Sequence, residues 1–184
     1  MTLYGPKTGK DIWRCRGAIL SLFGGIVPYA GVAITIAGII LLLIAVKKIS
    51  EAVNNHDIFK NYIIYFILGI LGVVAGIAVF LIYTGYSLLP LLREELEGFK
   101  LIKKFFVGLF LALVTYWIFG IIGAIYYKKS YDAISRHTKV DLFSTTALIY
   151  LIGMATVIVF VGFIVVFVAK VLEIVAFFSL PDTT

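Results

Sequence analysis

The sequence predicts an all-α membrane protein in which four transmembrane helices form two tandem helical hairpins. Three observations predict it. First, the 184 residues are 62% hydrophobic and 14% charged, with a mean hydropathy of +1.09. A soluble domain carries roughly 25% charged residues, and small folds leave much of their surface exposed, so this apolar surface needs lipid. Second, the segments 17–46, 61–92, 105–127 and 142–169 contain no Asp, Glu, Lys or Arg. Each is long enough for one crossing of about 20 residues. None is comfortably long enough for two crossings and a turn. Third, a charged stretch occurs twice. Lys47-Lys48-Ile49-Ser50-Glu51-Ala52-Val53 leads to Asp57-Ile58-Phe59 and Gly69, and Lys128-Lys129-Ser130-Tyr131-Asp132-Ala133-Ile134 leads to Asp141-Leu142-Phe143 and Gly153. Each copy reads as the loop of a hairpin. Two spans per unit keep both copies in one orientation, so units at about 13–96 and 97–180 form a parallel pseudo-repeat in a single membrane domain, 1–184.

Residues 1–16 form a polar leader with Lys7, Lys10, Arg14 and Arg16, and Trp13 as an interfacial anchor. The leader is long and no A-x-A site follows it, so a cleaved signal peptide is not expected. Gly5-Pro6-Lys7-Thr8-Gly9-Lys10 is one residue short of a phosphate loop and is followed by Asp11, where Ser or Thr would hold magnesium. Proline breaks helix interiors and suits first turns, so the first span starts at Pro28 and covers 28–46. Segment 17–27 becomes a short interfacial or partly inserted helix; one long kinked helix is the alternative. Gly24, Gly31, Gly38 and Ala45 recur every seven residues, a small-residue stripe for close helix packing.

The second span is 62–83, with Asp57 expected to cap it. Gly69, Gly72 and Gly76 form its packing face, which includes a G-x-x-x-G pattern that serves contacts within the chain as well as between chains. Residues 85–104 place Leu92, Leu96 and Phe99 at helical spacing among charges, an amphipathic surface helix between the second and third spans. The third span is 105–127, ending on Tyr126 and Tyr127 as belt aromatics. Asp141 is the expected cap of the fourth span, 142–168. A short apolar helix then reaches Leu180. It carries Lys170 and Glu173, three apart and so neighbours on one helix face. This candidate ion pair is expected at the far interface, snorkelling towards water.

The chemistry-bearing residues are few. Cys15 is the only cysteine, which rules out an intrachain disulfide. His56 and His137 fall in the two hairpin loops but do not align within the repeat. No catalytic, cofactor or metal site is expected. The net charge of +6 comes from Lys and Arg at span ends, where they meet lipid headgroups, so nucleic acid is not an expected partner. Those residues are shared almost evenly between the two sides, and positive-inside bias barely separates them. The termini are expected on one side of the cell membrane, with the cytoplasm favoured.

Several segments resemble a family of small archaeal and bacterial membrane proteins catalogued as domain of unknown function 996. They are Ile26-Val27-Pro28-Tyr29-Ala30-Gly31, Leu43-Ile44-Ala45-Val46-Lys47-Lys48-Ile49-Ser50, Ile58-Phe59-Lys60-Asn61, Tyr127-Lys128-Lys129-Ser130-Tyr131, Val140-Asp141-Leu142-Phe143 and Ile174-Val175-Ala176-Phe177-Phe178-Ser179-Leu180-Pro181. The resemblance implies a prokaryotic, archaeal integral membrane protein and supplies no activity or site residues. Small-residue packing faces, belt aromatics, short loops and the lack of reactive groups point to a non-enzymatic role: a structural, assembly or lipid-interacting component, or an accessory subunit of a membrane complex. Its partners would be membrane lipids, further copies of itself or a larger complex. The alternative is a small oligomeric channel or transporter.

Overall fold

The computed structural model describes residues 31–88, 98–159 and 161–180. The leader, the helix expected at 17–27, Gly24 and most of the surface helix expected between the second and third spans lie outside these residues. Within them the fold is entirely helical: α1 (Gly31–Ala52), α2 (His56–Leu88), α3 (Gly98–Thr138), α4 (Leu142–Thr156) and α5 (Val161–Phe178), with a single 3₁₀ turn, Val157–Val159, after α4.

Among the described residues, four helical stretches are long and apolar enough to cross a membrane: His56–Gly85, Ile102–Thr138, Leu142–Val159 and Val161–Phe178. Their outward faces carry Ile70, Val74, Leu81, Phe106, Phe110 and Ile164, the last 69% exposed. A water-soluble monomer rarely exposes a continuous apolar surface of this extent.

The charged motifs are helical, not loops. α1 runs through the first Lys pair to Ala52, and α3 runs through the second to Thr138. The reason is visible in the burial pattern of α3: Tyr127, Ser130, Tyr131, Ile134 and Ser135 are buried at helical spacing, so the apolar stripe continues beyond the lysines. Lys47–Glu51 at 3.9 Å and Lys128–Asp132 at 2.5 Å are i,i+4 pairs on the solvent side of these turns. The true connections are only residues 53–55 and 139–141. In the first, Asn55 N–H donates to the Ser50 carbonyl and Asn54 N–H to the Glu51 carbonyl, with Asn54 at φ 49°. This is a Schellman closure, which needs a left-handed residue and finds it in asparagine. Lys139, at φ 56°, takes the equivalent place after α3.

Capping also differs from expectation. Asn55 Oδ1 accepts the Asp57 N–H at 3.1 Å, so Asn55 caps α2 and Asp57 lies in its first turn. Asp141 precedes α4 but makes no side-chain cap bond.

α2 and α3 pack antiparallel. A Cβ on Gly72 would lie 2.8 Å from Phe119 Cβ, and one on Gly76 would lie 3.1 Å from the Ala112 carbonyl oxygen. The G-x-x-x-G face thus serves packing within the chain. Gly38 and Ala45 are buried on α1, as their stripe predicts.

The largest departure is the expected fourth span. Segment 142–168 is not one helix. It breaks after Thr156, and α5 folds back antiparallel along α4, so that Phe143 meets Phe177 ring to ring at 5.3 Å. A Cβ on Gly162 would clash with Val157 N and with the Gly153 carbonyl oxygen, so this turn admits only glycine. Thr156 Oγ1 donates to the Ile152 and Gly153 carbonyls, and Trp117 Nε1 donates to the Met154 carbonyl at 2.9 Å. Carbonyls released by the helix end are thereby satisfied within the bundle, as lipid demands. The helix expected after the fourth span is the second half of α5. It ends beside the two connections, whereas α1 begins about 33 Å from them.

Candidate functional site

The hairpin of α4 and α5 carries the Lys170–Glu173 pair back into the bundle, level with the polar turns of α3. Lys170 Nζ lies 2.8 Å from Glu173 Oε2. Glu173 is 1% exposed and Lys170, along its side chain, 24%. The pair therefore sits inside the helix packing near the loop end, not snorkelling at the far interface. Roughly one and a half turns separate Glu173 from the end of α5.

Five tyrosines surround it. Tyr62 and Tyr65 come from one face of α2, Tyr127 and Tyr131 from one face of α3, and Tyr150 from α4. The i,i+3 and i,i+4 spacings bring each pair onto one helix surface. The rings of Tyr127 and Tyr131 stack at 4.1 Å, and Tyr150 and Tyr65 approach Tyr127 at 4.7 and 5.0 Å. Tyr131 donates its hydroxyl to Glu173 Oε1, so both carboxylate oxygens have partners. Lys170 Nζ lies 5.2 Å from the ring centroids of both Tyr127 and Tyr150, within cation–π range. The hydroxyls of Tyr65 and Tyr150 bond each other at 3.1 Å. The Tyr127 hydroxyl is buried without a hydrogen-bond partner among the described residues.

Tyr127 is thus a core residue and not a belt aromatic, with 0% exposure. The Lys–Glu spacing was readable from the sequence. The tyrosine cluster was not, because its members lie on three helices whose register only packing sets. Paired tyrosines at helical spacing in α2 and α3 were the available signal.

Two recesses adjoin the cluster. A groove of about 350 Å³ opens between α2, α3 and α4, floored by Gly69, Gly120 and Gly123 and walled by Phe66, Ile70, Val73 and Phe119. Tyr65 and Tyr150 close one end, so a hydroxyl pair lies at the end of an otherwise apolar cleft. A Cβ on Gly69 would meet nothing within 4 Å. At the loop end, a polar basin of about 620 Å³ is lined by Asn55, Asp57, Asn61, Lys129, Asp132, Arg136 and Asp141. Asp132 is engaged there by Lys128 and by Ser144 Oγ at 2.8 Å. Asn55 Nδ2 donates to His137 Nε2 at 3.1 Å, tying the two connections together. His56 is exposed. Among the described residues no group of three His, Cys, Asp or Glu side chains is placed to hold a metal ion.

Apolar helices with lipid-compatible outer faces, and polar groups gathered inside, are the features of a multi-pass helical membrane protein. The chain belongs to the family described as Protein of unknown function DUF996, whose model matches residues 34–171. It is 41% identical over 168 residues to an uncharacterised protein of the archaeon Methanocaldococcus jannaschii, an alignment spanning 90% of this chain and 88% of that one. No solved structure matches it.

Proposed function

We propose that the protein is a non-enzymatic, lipid-interacting component of the membrane, with the glycine-floored groove as its lipid site. The groove supports this reading most directly. Gly69 leaves open space on the surface of α2, the walls are aromatic and aliphatic, and the neighbouring outward residues, Ile70 and Val74, are exposed. In a bilayer such a cleft fills with hydrocarbon. The Tyr65–Tyr150 hydroxyl pair adds one polar contact at its end. In this reading α1 also crosses the membrane, giving five crossings among the described residues, with the start of α1 and the end of α5 on opposite sides.

The test is lipid retention. Wild type and Gly69→Leu, purified in mild detergent, are compared by mass spectrometry of the bound lipid. The leucine projects into open space and occupies the groove, so the variant should fold and lose most of the retained lipid. Equal retention by the two proteins would overturn the reading.

The buried Lys170–Glu173 pair favours a second reading, a small oligomeric channel or transporter. Ionisable groups inside membrane bundles often mark ion or substrate paths. Solute flux in proteoliposomes, lost on Glu173→Gln, would favour it over the first.

A further inference from the structure

We propose that Glu173 and the ring faces of Tyr127 and Tyr150 form an ammonium-binding site, which Lys170 occupies from within the chain. The inference rests on the ion pair and its cage, not on the lipid groove, and neither depends on the other.

An ammonium group is held here as a free amine would be in a receptor. One carboxylate oxygen, Glu173 Oε2, accepts from it at 2.8 Å. Two aromatic faces lie at equal distances of 5.2 Å from the nitrogen. A carboxylate with flanking aromatic faces is the arrangement used to recognise alkylammonium ligands. The second carboxylate oxygen is held by Tyr131, which fixes the acceptor with or without the lysine. Glu173 is buried, whereas the Lys170 side chain is 24% exposed. The stem therefore has a way out of the cage, whereas the carboxylate does not. Helix packing alone does not require this chemistry, because buried ion pairs are often no more stabilising than apolar residues of similar volume.

Truncating the lysine separates the site from its tether. Lys170→Ala removes the atoms from Cγ to Nζ, which are those of n-propylammonium. The experiment measures the thermal unfolding of wild type, Lys170→Ala and Lys170→Ala/Glu173→Gln in lipid nanodiscs. Each is titrated with n-propylammonium chloride, sodium chloride at equal ionic strength, and n-propanol. At tenfold excess over Kd the amine should raise the melting temperature of Lys170→Ala by about 3–5 °C. Wild type, already occupied, should not shift, and neither should the double variant. An equal rise with n-propanol would show a plain apolar void and overturn the proposal, as would no rise at all.

Should Lys170→Ala fail to fold, the wild-type chain still decides the matter. Under limiting amine-reactive reagent, Lys170 should acylate at least tenfold more slowly than Lys47, whose side chain is 58% exposed. Equal rates would mean that the cage does not hold its ammonium.

Discussion

Tyr131 on α3 donates its hydroxyl to Glu173 on α5, 42 residues further along the chain. Only the hairpin of α4 and α5 makes this contact possible. A continuous helix from Phe143 to Glu173 would carry the carboxylate about 45 Å from the start of the span. The fold-back instead returns it to the level of α3 at which it started. The buried charge pair, the tyrosine cluster and the turn between α4 and α5 are therefore one structural event.

That relationship separates two tyrosines that look alike in sequence. Tyr131→Phe removes a hydrogen bond to a buried carboxylate and should cost about 1.5–3 kcal/mol. Tyr127→Phe removes a buried hydroxyl without a partner, so it should be neutral or stabilise by up to about 1 kcal/mol. Equilibrium unfolding of the two variants in the same detergent checks the difference.

The ion pair should be costly to halve and cheap to replace. Glu173→Ala leaves the Lys170 ammonium among aromatic rings and should destabilise by about 3 kcal/mol, the low end for a buried pair because the lysine has a path to solvent. Lys170→Met with Glu173→Leu should restore stability to near wild type. A double-mutant cycle by unfolding free energy measures the coupling.

Glycines should differ sharply in tolerance. Gly162→Ala places a methyl group against backbone atoms that cannot yield, so it should open the hairpin and cost at least about 3 kcal/mol. Gly69→Ala meets open space and should be tolerated, with a gain of about 0.5–1 kcal/mol from helix propensity. Thermal unfolding ranks the pair.

Capping offers a fourth check. Asn55→Ala loses the cap of α2 and the bond to His137, and should destabilise by about 1–2 kcal/mol. Asp141→Ala loses no cap bond and should change little. Chemical unfolding of both variants, read by circular dichroism, distinguishes them.

Some of this was legible beforehand. Uncharged runs marked the helices, Gly72 and Gly76 marked a packing face, and the i,i+3 spacing marked Lys170 and Glu173 as partners. The hairpin was not legible, because its turn contains no charge, proline or polar cluster between Thr156 and Val161. In water such a turn would need polar residues. Here Trp117 and Thr156 bond its carbonyls, and Gly162, together with Gly153 packed against Val166, provides the room. The lysine motifs misled for the opposite reason. Charge implied a loop, but Tyr127, Tyr131 and Ile134 continue the buried helical stripe through it. The capping aspartates were plausible residues at nearly the right places, and Asn55 held the better geometry.

The side of the membrane to which α5 returns tests the hairpin most directly. In a Cys15→Ser background, single cysteines at Lys139 and at Ser179 are labelled in oriented vesicles with a membrane-impermeant maleimide. Both should label from the same side, because α4 and α5 form a hairpin. If Ser179→Cys labels only from the side opposite Lys139→Cys, segment 142–178 is a single crossing. The Tyr131–Glu173 contact and the ammonium cage would then be contradicted together.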